Sequence, residues 1–78
     1  MIDPDSSIEI YTIRACGFCA MAKEMLQSHG IHYMEHDVTS DALKRREMLR
    51  RSRSRGLPQI FIDGEFVGGC HELKELLD

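Results

Sequence analysis

Two cysteines three positions apart, Cys16 and Cys19 in Cys16-Gly17-Phe18-Cys19, are the residues of this chain best suited to chemistry. Two sulfurs at that spacing can close a small disulfide or hold a soft metal, and their surroundings decide which. The apolar run from Ile8 to Ile13 reads as a strand. A helix starting at Phe18 would aim its unbonded N–H groups and the positive end of its dipole at Cys16. That position favours thiolate over thiol and makes Cys16 the nucleophile of the pair. Cys19 falls one turn into the same helix, available to attack a mixed disulfide formed on Cys16.

The rest of the composition narrows the class. Seventy-eight residues allow one small domain, 1–78, with residues 1–7 expected as a loose N-terminal tail. Three cysteines, two of them in a C-x-x-C, are not the even disulfide framework of a small secreted protein. Residues 1–7 carry two acids and a proline where a signal peptide carries basic residues and an apolar run, and no stretch approaches membrane-spanning length. The expected compartment is the reducing cytoplasm, with no membrane partner. Zinc is a competing use of the thiols, because Cys16-x2-Cys19 is followed by His29-x2-His32. The nine-residue gap and the closeness of the histidines do not fit finger spacing, so no metal is expected at these four residues.

Charge is informative in its distribution. Seven of the ten basic residues lie between Lys44 and Arg55; with Glu47 that segment carries +6, and the remainder of the chain −9. A strongly positive face is expected, either simply solvated or suited to an anionic small molecule. Nucleic acid is a weaker reading, since the run lacks the interleaved aromatics that single-strand binding uses.

The elements that must position the cysteines follow from periodicity. Ile8 to Ile13 reads as a strand buried on both faces. Phe18, Ala22, Met25 and Leu26 recur at helical spacing up to Ser28, with Gly30 as the stop. Ile31 to Val38 reads as a second strand. A second helix, capped by Thr39 or Ser40 and running to about Ser52, carries a narrow apolar stripe of Ala42, Leu43, Met48 and Leu49. Gln59–Ile62 and Glu65–Val67 flank Asp63-Gly64, the dipeptide of a type I′ hairpin. Gly68-Gly69 opens a last helix with Leu73, Leu76 and Leu77 on one face. The order βαβ-α-ββα gives one four-stranded mixed sheet with helices on both faces, an α/β fold.

A C-x-x-C at a strand-to-helix turn in a βαβ context reads as a thioredoxin-like redox motif. Leu57-Pro58 strengthens it, because a proline before the third strand can hold a cis peptide and leave neighbouring backbone groups free to pair with a substrate. In Ile10-Tyr11-Thr12, Cys16-x-x-Cys19, Leu57-Pro58-Gln59-Ile60-Phe61-Ile62-Asp63-Gly64 and Gly68-Gly69-Cys70-x-Glu72-Leu73 the chain resembles a glutaredoxin, in order and at family spacing from about residue 8 to 77. The resemblance implies the thioredoxin fold and a glutathione-dependent thiol–disulfide oxidoreductase acting on glutathionylated and disulfide-containing proteins. It implies Cys16 as nucleophile, Cys19 as resolving cysteine and a redox-active Cys16–Cys19 disulfide. It places glutathione against Leu57, Pro58, Gly69, the Cys70 and His71 amides, and Arg45. The amides also fit an anion on physical grounds, as the free N–H groups of a helix start.

The chain departs from the common family pattern at Phe18, where tyrosine is usual, at Ile13, where many members carry lysine, and at His71, commonly aspartate. Gly17 stands where the dithiol motif has proline, as in the cluster-binding monothiol branch, but Cys19 is present and that branch's extended loop is absent, which places the chain with the dithiol group. The alternative function is a [2Fe–2S] carrier in which two chains share a cluster through Cys16 and two glutathione thiolates; the chain is otherwise expected as a monomer. Cys70 is expected as a small buried residue and His29, His32 and His36 as surface or satisfied side chains. Met21, Met25, Met48 and Phe61 are expected in the core.

Overall fold

The structure is a computed structural model and describes residues 2–78. Seven elements follow in order: β1 (Ile8–Thr12), α1 (Gly17–Ser28), β2 (Met34–Asp37), α2 (Ala42–Ser52), β3 (Gln59–Ile62), β4 (Glu65–Gly68) and α3 (Cys70–Leu77). They form one four-stranded sheet in the order β2-β1-β3-β4, with β1 and β2 parallel and the other two pairings antiparallel.

Alternation along the two central strands divides the core into two halves. Ile8 and Ile10 of β1 and Ile60 of β3 join Ala22 and Leu26 of α1 and Leu73 of α3 on one face. Tyr11 and Phe61, one residue out of phase, join Val38, just past β2, and Met48 of α2 on the other. The sheet is therefore covered on both faces, as the sequence predicts, because the side-chain period of a strand is two.

The hairpin is the type expected: Asp63 and Gly64 both have positive φ, 52° and 86°, as a type I′ turn requires. Three local expectations need correction. Helix α2 is capped by Asp41, whose Oδ1 accepts the Lys44 N–H at 3.0 Å, because the Thr39 hydroxyl is engaged with Asp37 Oδ1 and the Arg14 N–H. Met21 is about half exposed, since the buried stripe of α1 is Cys19, Ala22 and Leu26. Leu43 is exposed too, leaving Met48 as the buried residue of α2. In the N-terminal segment, Ile2 packs against the first core half, and Ser7 and Asp63 exchange hydrogen bonds of 2.8 Å. Met1 lies outside the described residues.

The basic run is also less uniform than its composition. Arg51 turns inward, with Nη1 and Nη2 on the two Glu9 carboxylate oxygens at 3.1 and 2.8 Å. Nη1 also donates to the Tyr11 hydroxyl at 2.7 Å, and the guanidinium lies 4.0 Å from the Phe61 ring centre. His36, placed by β2 beside Tyr11, shares Glu9 Oε1 at 3.0 Å. One arginine of the run thus pins α2 to the sheet, while Arg45, Arg46, Arg50, Arg53 and Arg55 face outward.

Candidate active site at the start of helix α1

The chain leaves β1 at Thr12 and turns into α1 within four residues. Ala15 takes a positive φ of 55°, a conformation an alanine adopts at a cost, and this turn delivers Cys16 to the helix start. Helix α1 begins at Gly17, one residue earlier than the periodicity predicts, with Cys16 as its N-cap in an extended conformation. The Cys19 N–H donates to Cys16 Sγ at 3.1 Å. The first sulfur therefore occupies the place of a capping oxygen, facing the positive end of the helix.

The second sulfur lies below it. Cys16 is half-buried and Cys19 is 2 % exposed. Burial pushes the Cys19 thiol up to about 11, and its hydrogen bond with Cys16 pushes it in the same direction; a backbone hydrogen bond at Ile13 and the Lys23 charge oppose them. Both cysteines are free thiols. At neutral pH Cys19 holds its proton, so the two sulfurs of the pair are chemically unequal.

Two further segments, joined to each other, lie near this turn. The Leu57–Pro58 peptide is cis, as the sequence suggests. Pro58 touches the start of α3 so closely that a Cβ on Gly69 would lie 3.3 Å from the Pro58 carbonyl oxygen. Leu57, Pro58 and Gly69 line one depression of about 490 Å³. Cys70 follows Gly69 half-buried, and its thiol is pushed up by burial first and then by its electrostatic interaction with Cys16, which ties this segment to the cysteine turn.

At the α3 start, Glu72 reaches back to accept the Gly69 N–H at 2.8 Å. That leaves the Cys70 and His71 N–H groups at the first helical positions, where a helix offers them no internal partner. The His71 side chain points away along α3, with Nε2 3.5 Å from Glu75. Arg45 stands apart on the exposed first turn of α2, its N–H on the Asp41 carbonyl. Pro58 and Gly69 thus lie together with Cys70 beside them and near Cys16, Cys16 and Cys19 line a cavity of their own, and the side chains of Arg45 and His71 are exposed.

Sequence reasoning misses one cluster beside the cysteines. Thr12, Cys16, Cys19, Lys23, Glu35 and Asp37 line a cavity of about 380 Å³ behind the turn. Glu35 Oε2 there accepts from the buried Thr12 hydroxyl at 2.6 Å and from Lys23 Nζ at 3.0 Å. The Lys23 half was visible in principle, four residues after Cys19 on one helix face. A larger cavity of about 640 Å³ lies at the other end of β1, between the N-terminal segment, His29–His32 and the end of α3, and contains no cysteine.

The glutaredoxin family model matches residues 8–67, a span that includes the cysteine turn and the cis proline. Glutaredoxin 3 of Escherichia coli K12 is 42 % identical over 71 residues, covering 91 % of this chain and 86 % of that protein. The chain belongs to the glutaredoxin family. The solution structure of a Brucella melitensis glutaredoxin, 40 % identical, covers 90 % of this glutaredoxin and 76 % of its own chain with a TM-score of 0.75. Glutaredoxin 1 of Francisella tularensis, 31 % identical and covering 90 % of each chain, gives the same TM-score. The fold of this glutaredoxin is the thioredoxin fold, and the protein is a thiol–disulfide oxidoreductase.

Proposed function

We propose that this glutaredoxin reduces glutathione mixed disulfides, and some protein disulfides, with glutathione as electron donor. The observation that carries the reading is the pair of unequal sulfurs: Cys16 capping α1 with the Cys19 N–H on it, and Cys19 buried and protonated beneath. In the first step the Cys16 thiolate attacks the glutathione sulfur of a protein–glutathione disulfide. A Cys16–glutathione bond forms, the old disulfide breaks, and the protein leaves as a thiolate that takes up a proton. The thiolate of a second glutathione then attacks the bound glutathione sulfur, releasing oxidised glutathione and restoring Cys16. With a protein disulfide, Cys19 displaces the target and leaves a Cys16–Cys19 disulfide for glutathione to reduce. The reaction suits a reducing compartment, and among the described residues no helix is long and apolar enough to cross a membrane.

Glutathione is proposed to lie along Leu57 and Pro58, its γ-glutamyl carboxylate on the Cys70 and His71 amides beside Gly69, where a helix start attracts an anion. The test is a coupled assay with glutathione, glutathione reductase and a glutathionylated substrate, run on the wild type and each cysteine variant. Arg45 is proposed to meet the glycyl carboxylate. Arg45→Ala should raise KM for glutathione about threefold with little change in kcat, since an exposed contact to a remote carboxylate contributes equally to ground and transition states. Added salt should reproduce part of the effect. An unchanged KM removes Arg45 from the site.

A second reading is cluster carriage by a dimer, and Gly17 is the residue that favours it. Thiolate ligation by Cys16 and by glutathione suits the iron of a [2Fe–2S] cluster. A Cβ at Gly17 would meet nothing within 4 Å, so the space beside Cys16 is open. Proline is also tolerated at the first position of a helix, so Gly17→Pro should fold and keep thiol–disulfide exchange while restricting the turn at Cys16. Anaerobic reconstitution with iron, sulfide and glutathione should colour and dimerise the wild type and leave the variant colourless. A colourless wild type would sink the reading, and a variant that binds cluster equally well would sink the role of Gly17.

A further inference from the structure

The cavity behind the cysteine turn is lined by both sulfurs, and its charged groups have no part in the reaction with glutathione as set out above. Cys19 and Lys23 lie four residues apart on α1 and line it together with Arg14, Cys16, Glu35 and Asp37. Lys23 is not free to wander: Glu35 Oε2 holds its Nζ at 3.0 Å, and the same oxygen is fixed from below by the buried Thr12 hydroxyl at 2.6 Å. The two side chains are about one-third exposed, so the pair sits at the mouth of the cavity in contact with solvent. The Thr12 hydroxyl and then Lys23 keep the Glu35 carboxyl below its usual range, and Glu35 in turn raises Lys23, so the pair is ionic at neutral pH.

We propose that Lys23, positioned by Glu35 and Thr12, is the cation that supports the Cys19 thiolate in the resolving step, and so sets how well this protein reduces protein disulfides relative to glutathione mixed disulfides. The inference rests on the roles proposed for Cys16 and Cys19. In that step Cys19 loses its proton to water in the cavity, and its sulfur attacks Cys16 Sγ. The Cys16–Cys19 bond forms as the Cys16–target bond breaks, and the target leaves as a thiolate that picks up a proton. The pair is oxidised by two electrons and the target disulfide reduced by two. Once Cys16 is bonded to a target, its charge no longer opposes ionisation of Cys19. Burial still opposes it, and the backbone bond at Ile13 and Lys23 are what assist it. Arg14 and Asp37, the other charged groups on the cavity, pair with each other at 4.0 Å.

The experiment has two parts. In a Cys16→Ser, Cys70→Ser background Cys19 is the sole thiol, so ultraviolet thiolate absorbance titrates one group. Lys23→Met should move that titration upward by about one pH unit, and Lys23→Arg should restore it. In the otherwise native protein, Lys23→Met should lower the ratio of protein-disulfide reduction to deglutathionylation about threefold. The thiolate fraction falls about tenfold, and the more basic sulfur recovers about threefold in nucleophilicity. Lys23→Gln, which removes the charge and keeps a polar end, should match Lys23→Met. An unmoved titration or an unchanged ratio overturns the proposal, as does failure of Lys23→Arg to restore both. Failure of the underlying roles reads differently: it shows as an active Cys16→Ser protein or a Cys19→Ser protein that has lost deglutathionylation, whatever stands at 23.

Discussion

Cys16→Ser is expected to lower both reactions by about three orders of magnitude or more, because a serine hydroxyl is not ionised near neutral pH and cannot replace the attacking thiolate. The fold should survive. Serine is among the best N-cap residues, and its oxygen can accept the Cys19 N–H that Cys16 Sγ accepts now, so thermal melting should change little. Cys19→Ser should instead keep deglutathionylation and lose most protein-disulfide reduction, since only the latter needs a second sulfur. Parallel assays with a glutathionylated peptide and a protein disulfide separate the two. A Cys16→Ser protein that remained active, while melting as the wild type does, would show that the nucleophile lies elsewhere.

Acid should unfold the protein through Glu9, and Arg51→Met should remove much of that dependence. The Arg51 hydrogen bonds, against an opposing effect of burial, hold the Glu9 carboxyl at about 2 rather than its usual 4.5. A carboxyl depressed in the folded state stabilises it fully above its unfolded value, and that stability is lost as pH falls from about 4.5 toward 2. The contribution is on the order of 3 kcal/mol, a large share for a domain of this size. Glu9 is 21 % exposed, so solvent screens the pair only in part. Methionine at 51 keeps an apolar stem against Phe61, which isolates the charge. Urea denaturation near neutral pH should show a loss of about 2 to 3 kcal/mol in Arg51→Met, shrinking as pH falls below about 4.5 and approaching zero only near pH 2, where Glu9 protonates in the wild type. An equal loss at every pH would mean that Arg51 acts by packing alone.

What the sequence reveals and what it hides divide by range. The cysteine turn, the Asp63-Gly64 hairpin and the Gly68-Gly69 helix start are legible because each is specified by residues within a few positions of one another. Strand β2 is predicted over Ile31–Val38 but forms only over Met34–Asp37, since as an edge strand it buries little and carries a weak alternation. Glu9 and Arg51 are 42 positions apart, and Lys23 and Glu35 are 12. No local pattern announces either pair. Arg51 in particular is hidden by its own neighbourhood, one inward arginine within a run that composition describes as a solvated face. The same holds for the site: the topology sets Gly69 beside Pro58 and Cys70 near Cys16, neighbours that lie far apart in the chain. The side chains of Arg45 and His71, placed by resemblance, are exposed.

A Cβ at Gly69 would lie 3.3 Å from the carbonyl oxygen of Pro58, so a side chain there would need the backbone to give by a few tenths of an ångström. Two loops that are far apart in the chain therefore rest on each other main chain to main chain. Their spacing is a fixed gauge, set by atoms that every residue shares and not by rotamers that can swing. If glutathione spans these loops as proposed, its peptide would be measured against a rigid template. Any bulk added at position 69 would misfit both ends of the ligand together, whereas changes at the exposed rim would loosen one end at a time.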